Sequence, residues 1–302
     1  MLYIGTSGYS YKDWIGTFYP ENTDKKEMLK LYAQKFKVSE INSTYYRIPH
    51  PASFYYLQQK VPADFRFTVK ANQEMTHSRE ENPAIFNDFK ESIKPLLEAG
   101  KFACVLAQFP YSFYNTPSNR DYLLRFKERM EDIPLVVEFR NSYWINNEIF
   151  RILKNNDIGF CCVDQPQLKG LIPPIAETTS HLGYVRFHGR NKVNWWEHEK
   201  AYQRYDYLYS EEELKEWIPK IKKITEKTTD QYIFMNNHYK GKAAKNALML
   251  IKLLKQEIKT EKIKEKLLIF FCPLKQTYVL NTDCRLRVAR LICISYLVNR
   301  IS

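Results

Sequence analysis

Short apolar runs recur along this chain between longer segments of mixed polarity. The runs at 2–7 (LYIGTS), 38–46 (VSEINSTYY), 65–71 (FRFTVKA), 102–109 (FACVLAQF), 135–140 (LVVEFR), 158–164 (IGFCCVD), 183–189 (GYVRFHG) and 231–237 (QYIFMNN) have the length and residue types of strands. Segments 24–37, 51–60, 83–99, 118–131, 146–156, 210–227 and 241–258 have helical character. A β-then-α order implies parallel strands joined by crossover helices, and eight such units at this length predict a closed TIM (β/α)8 barrel of the α/β class, in a single domain. No GxGxxG or Walker loop follows any strand, which argues against a dinucleotide or P-loop sheet. Segment 165–182 breaks the rhythm. It contains PQLKGLIPP, and Pro173 and Pro174 predict an irregular loop rather than a helix.

Among these runs, YVRFHGRN (184–191) looks like a buried strand yet carries Arg186, His188 and Arg190. Side chains of a strand alternate faces, so Val185 and Phe187 point one way and Arg186 and His188 the other. If the aliphatic face meets the covering helices, Arg186 and His188 face the barrel interior, where an unpaired charge is prohibitively costly. The same alternation applied to the other strands predicts a lining of Gly5, Ser7, Glu40, Asn42, Thr44, Arg66, Thr68, Lys70, Leu106, Gln108, Glu138, Arg140, Cys162 and Asp164. Glu40, Glu138 and Asp164 then stand against Arg66, Lys70, Arg140 and Arg186, so the interior charges largely neutralise one another. Glu138 and Arg186 fit either a structural pair below a site or part of the site itself. His188, Arg140, Asp164 and Lys70 lie nearer the C-terminal mouth, where sites form in this architecture.

Composition narrows the picture. At 302 residues, 44% hydrophobic and 15% aromatic, the chain can bury a sizeable core, which is the profile of a soluble globular protein. No uninterrupted apolar stretch reaches membrane-span length and no leader precedes the first strand, so a cytoplasmic location is the expectation. The six cysteines show no zinc or CxxC spacing and are expected to be reduced. The formal net charge is +12, but residues 255–302 hold ten Lys/Arg and four Asp/Glu, so half of the excess sits in the last sixth of the chain. That distribution favours a modestly basic surface over a dedicated nucleic-acid footprint.

Seven collinear stretches, IGTSGYSYKDWIGTFYP (4–20), EINSTYYRIP (40–49), FTVKANQEMTH (67–77), VVEFRNSYW (136–144), VRFHGR (185–190), RYDYLYS (204–210) and IFMNNHYKGKAAKNALML (233–250), together resemble the YecE-like family, also called domain of unknown function 72. The resemblance covers residues 2 to about 254. It implies a TIM barrel distantly related to sugar isomerases and endonuclease IV, and it implies no reaction, because fold alone does not determine chemistry. Residues 255–302 fall outside the quoted motifs and are expected to form a basic C-terminal extension that the barrel of residues 1–254 does not need.

Candidate chemistry follows from the lining. Lys and Arg at the strand ends would repel a cation, so no metal site is predicted and no cofactor is implied. An anion fits better. Barrels of this kind often bind phosphate at the loops after strands seven and eight, and here those loops carry Gly189-Arg190 and Lys240-Gly241-Lys242, although the latter is equally well a solvated helix start. The prediction is therefore an anionic small molecule, phosphorylated or sugar-like, contacted by Lys70, Arg140, Arg186, Asn42, Gln108, Ser7, Gly189, Asn236 and Lys242. Metal-independent acid–base chemistry would use His188 as acid or base, oriented by Asp164 or Glu138. Aromatic residues of the loops after strands one, two and five and of 191–209 (Trp195, Trp196, Tyr202, Arg204, Tyr205, Tyr207) fit either stacking on a ligand or packing of the loops. The rival classes are a nucleic-acid-binding protein using this loop and the basic surface, and a non-catalytic scaffold.

Overall fold

The computed structural model describes residues 1–79 and 82–271. Eight parallel strands close into a barrel in chain order: β1 (Leu2–Ser7), β2 (Val38–Ile41), β3 (Arg66–Lys70), β4 (Phe102–Gln108), β5 (Leu135–Glu138), β6 (Ile158–Asp164), β7 (Leu182–Phe187) and β8 (Asp230–Met235). Pairing of β1 with β8, from Leu2↔Gln231 to Thr6↔Met235, completes the ring. The strands are mostly shorter than the apolar runs that announce them, because the last residues of several runs turn out of the sheet to build the mouth.

Helices α1 (Met28–Ala33), α2 (Pro51–Gln58), α3 (Pro83–Glu98), α4 (Pro117–Met130), α5 (Asn147–Asn155), α6 (Glu211–Lys215), α7 (Ile218–Thr225) and α8 (Lys242–Phe271) surround the barrel. Proline opens α2, α3 and α4, where its missing N–H costs nothing. The single helix expected over 210–227 is two. Ser210 and Glu213 form a capping box that starts α6, and Pro219 in the first turn of α7 cannot donate back to the preceding turn, so the chain restarts there. No helix joins β6 to β7. The expected irregular segment is instead tied down by Thr179 Oγ1 donating to Ile158 O at 2.6 Å and Gln165 Nε2 donating to Ile172 O at 3.1 Å.

The main apolar core lies between the outer face of the strands and the helices, and includes Tyr32, Phe36, Phe67, Phe89, Phe126, Leu153 and Trp217. Tyr32 of α1 reaches the β1–β2 seam, where its hydroxyl meets Thr6 N at 2.9 Å and Val38 O at 3.0 Å. Gly5 permits this approach, since a Cβ there would stand 2.3 Å from Val38 O. Cys104, Cys161 and Cys162 are free and buried, while Cys272, Cys284 and Cys293 lie outside the described residues, as does most of the 255–302 extension. Among the described residues no helix is long and apolar enough to cross a membrane.

Candidate functional site

The barrel interior is ionic. Arg186 of β7 spans it, with Nη1 donating to Glu138 Oε2 of β5 at 2.6 Å and Nη2 to Glu40 Oε1 of β2 at 2.7 Å. Ser7 Oγ lies 3.4 Å from the same Nη2, and Tyr184 donates to Glu40 Oε2 at 2.7 Å. The other oxygen of Glu138 is 2.9 Å from Arg140 Nη2 and 3.2 Å from His188 Nε2. Burial by itself would raise the Glu138 pKa, but Arg140, Arg186 and His188 outweigh it and hold this carboxyl well below its usual range.

His188 responds in the opposite sense. Complete burial pushes its pKa down to about 3, more strongly than neighbouring Glu138 pulls it up. The ring is therefore neutral near pH 7. Its Nδ1 meets Asn236 Nδ2 at 3.0 Å, while Nε2 lies 3.2 Å from Glu138 Oε1 without forming a well-directed hydrogen bond.

Above this layer the mouth encloses a cavity of about 720 Å³. Its charged lining residues are Lys70, Arg140, Arg186 and Arg204, and no carboxylate borders it among the described residues. Lys70 Nζ donates to Gln108 Oε1 at 2.9 Å and lies 4.2 Å from the centre of the Tyr45 ring. Burial, reinforced by Arg186 and Arg140, brings its pKa down to about 7. His77, whose ring meets Tyr45 edge-on at 5.1 Å, is brought down to about 4 by burial and by Lys70. Trp195, Trp196 and Tyr205 of the long loop after β7 border the cavity, with Arg204 5.5 Å from the Trp195 ring.

The structure brings together six of the predicted contact residues, since Asn42, Lys70, Gln108, Arg140, Arg186 and Asn236 all line this cavity. Glu138, His188 and Ser7 are fully buried and absent from its lining. Three expected members belong elsewhere. Asp164 lies on the outer face of β6, where it accepts from Trp217 Nε1 at 2.7 Å, Tyr209 at 2.7 Å and Arg190 at 2.8 and 2.9 Å. The register gives the reason: Cys161 pairs with Tyr184 and Val163 with Arg186, and paired neighbours share a face, so Cys161 and Val163 point inward while Cys162 and Asp164 point outward. Gly189 donates its N–H to Tyr209, and a Cβ on it would meet Tyr207 at 2.7 Å, so it serves the packing of its own loop. Lys242 is paired with Asp206, and the nearby backbone N–H of Lys240 donates to Asp13 Oδ2 at 2.7 Å, so this turn is already satisfied without a phosphate.

Two further expected lining positions also move. Arg66 turns back at the N-terminal end of β3 to donate to Ala63 O and Phe65 O, both at 3.1 Å. Thr44 sits in a 3-10 turn and donates to Lys70 O at 2.6 Å. The loop aromatics divide between the two roles considered for them. Trp14, Tyr19 and Trp144 are buried in packing, whereas Tyr11, Tyr45, Tyr46, Trp195, Trp196 and Tyr205 border the cavity. His77, Tyr111 and His238 also border it, and sequence reasoning gave them no ligand-binding role. Their signal is position alone, just beyond the ends of β3, β4 and β8. No group of three or more His, Cys, Asp or Glu among the described residues is placed to hold a metal ion.

Comparison with known proteins agrees with this architecture. Residues 3–267 match the family described as "Protein of unknown function DUF72". The UPF0759 protein YunF of Bacillus subtilis (strain 168) is 33% identical over 270 residues, covering 84% of this chain and 95% of YunF. The crystal structure of a DUF72 family protein from Thermotoga maritima MSB8 superposes with a TM-score of 0.79 at 41% identity, covering 84% of this chain and 99% of that one. A second DUF72 crystal structure, from Enterococcus faecalis V583, gives 0.76 at 26% identity over 84% and 96% of the two chains. The matched region continues past residue 254 along α8 to residue 267.

Proposed function

The chain belongs to the DUF72 family, and we propose that its barrel mouth binds an anionic small molecule, phosphorylated or sugar-like, and performs acid–base chemistry on it. The observation that carries this reading is the imbalance of the cavity wall: Lys70, Arg140, Arg186 and Arg204 border it and no described carboxylate does. Glu138 and Glu40 neutralise part of that charge from below, but Arg140 gives only one described contact to Glu138 and keeps its other N–H groups for a ligand. Such groups pair with carboxylate or phosphate oxygens in a fixed fork. Tyr45, Tyr46, Trp195, Trp196 and Tyr205 supply flat faces suited to a sugar or other ring.

Proton transfer in this reading falls to Lys70 and His77. Both border the cavity, and their pKa values of about 7 and about 4 leave neutral forms available near pH 7. His188 is fully buried in the layer beneath, with Nδ1 against Asn236 and Nε2 3.2 Å from Glu138, so its part in this reading is to hold Asn236 in place. Isothermal titration calorimetry with inorganic phosphate and a panel of sugar phosphates tests the reading. Saturable binding that Arg140→Ala weakens at least tenfold supports it; no binding of any anion to the wild-type protein refutes it.

A further inference from the structure

Two lysines of the barrel are withdrawn from solvent in different ways, Lys101 buried and Lys70 half-buried. Lys101, just before β4 at the closed end, donates from Nζ to Gln58 O at 2.5 Å and Val61 O at 2.9 Å, which satisfies a structural cation with backbone oxygens. Lys70 lies at the open end of β3. Its Nζ has one hydrogen-bond acceptor, Gln108 Oε1, and the face of one ring, Tyr45. No carboxylate among the described residues lies within 4.0 Å of it, although Glu138 and Glu40 are bound to arginines in the adjoining layer. An ammonium withdrawn from solvent is normally paired, and one left without a carboxylate near Arg186 and Arg140 is poised to lose its proton.

We propose that Lys70 is a nucleophile that condenses with the carbonyl group of an anionic aldehyde or ketone to form an imine in the cavity. The inference rests on the anion-binding reading above and specifies its substrate class. The neutral Nζ attacks the carbonyl carbon, a C–N bond forms, and the C=O π pair moves to oxygen, which takes a proton while nitrogen loses one. Departure of that oxygen as water breaks the C–O bond and leaves the imine, so one water is released for each imine and nothing is oxidised or reduced. His77 borders the same cavity and touches the same Tyr45 ring. Its Nδ1 is 2.9 Å from Thr76 Oγ1 and its other nitrogen makes no hydrogen bond among the described residues, so it can carry the proton from nitrogen to the departing hydroxyl. Arg140 holds the anionic group. With its pKa brought down to about 7 by burial and the neighbouring guanidinium groups, Lys70 offers free amine at neutral pH, which an ordinary lysine does not.

The test treats the full chain with pyridoxal 5′-phosphate, an anionic aldehyde, then with borohydride, and maps the reduced adducts by peptide mass spectrometry. Pyridoxal serves as the uncharged control and inorganic phosphate as competitor. The expected result is modification of Lys70 at least tenfold faster than Lys101 or any surface lysine, with a midpoint near pH 7, slower with pyridoxal and slowed by phosphate. Lys70→Arg and Lys70→Met, checked for native melting, should lose that adduct and leave the slow surface adducts unchanged. Adducts confined to other lysines would overturn the inference, and a phosphate-induced rise in Tm in the same sample would show that the anion reading survives without it. Equal modification of Lys70 by both aldehydes, with no protection by phosphate, would overturn the anionic substrate.

Discussion

Trp217 donates from Nε1 to Asp164 Oδ2 at 2.7 Å, reaching the barrel wall from the helical layer. Asp164 is thus a fastener between β6 and the segment that joins α6 to α7, with Tyr209 and Arg190 completing its shell. Asp164→Ala should lower stability by about 2–3 kcal/mol, because it leaves buried Trp and Tyr donors unpaired and Arg190 only partly exposed. Urea denaturation checks the loss, and anion affinity measured on the same variant should stay within twofold of wild type.

Arg140 and Arg186 should separate binding from folding. Arg140 is partly accessible and touches Glu138 through one nitrogen, so Arg140→Ala should weaken anion binding roughly tenfold to a hundredfold, the worth of one or two charged hydrogen bonds, with a small change in Tm. Arg186→Ala removes the partner of both Glu138 and Glu40 and should cost about 3–5 kcal/mol, enough to lower soluble yield. Circular dichroism melts of the pair, beside their phosphate isotherms, give the comparison.

Acidification should weaken the fold through His188. Its folded pKa of about 3 lies below the unfolded value of 6.5, so between those values the unfolded chain binds more protons and stability rises with pH. The contribution is fully present above pH 6.5 and is lost as pH falls towards 3. His77 acts in the same direction down to about 4. His188→Gln should therefore be less stable at pH 7 yet show a shallower decline between pH 6.5 and 4.5, as read from urea midpoints along a pH series.

Lys70 has a linkage of its own at higher pH. Its folded pKa of about 7 lies below the ordinary 10.5, so the unfolded chain again holds more protons between those limits and stability rises with pH across them. Lys70→Met should flatten that rise and be the more stable protein at pH 7, unless the cavity admits water in its place. Chemical denaturation at pH 7, 8.5 and 10 checks it.

Truncation locates where the barrel ends. Leu253, Leu254 and Ile258 of α8 are buried, and Lys222 pairs with Glu257 at 3.4 Å. A chain ending at Thr260 should melt cooperatively at the temperature of the full chain. Ending at Leu254 should cost about 1.5–3 kcal/mol, the burial of one aliphatic side chain.

The barrel and much of its mouth are legible in the sequence because strand periodicity is strict wherever polar and apolar residues alternate. RFTVK and GYVRFHG carry that alternation, and Thr68, Lys70, Arg186 and His188 fall where it predicts, Arg66 at the strand's start being the exception. IGFCCVD carries none, since β6 is buried on both faces, and its one charge invites the inward assignment that the register with β7 reverses. Trp217, 53 residues downstream, is what stabilises an outward Asp164, and no local pattern reports such a partner. His188 shows a different limit. Its inward direction follows from alternation, but its depth, and hence its neutral state, depends on Asn236, Trp195 and Tyr205, which come to it from distant segments.

Glu138 ends the chain of consequences. One of its oxygens is shared between Arg140 and His188, and the other belongs to Arg186, so an anion that draws Arg140 towards itself takes a counterion away from the hub of the barrel. Under the proposed anion binding, ligand grip and internal cohesion would meet in one guanidinium. In the proposed reading, an anion held by the other N–H groups of Arg140 leaves that counterion in place, and one that displaces Glu138 loosens the centre.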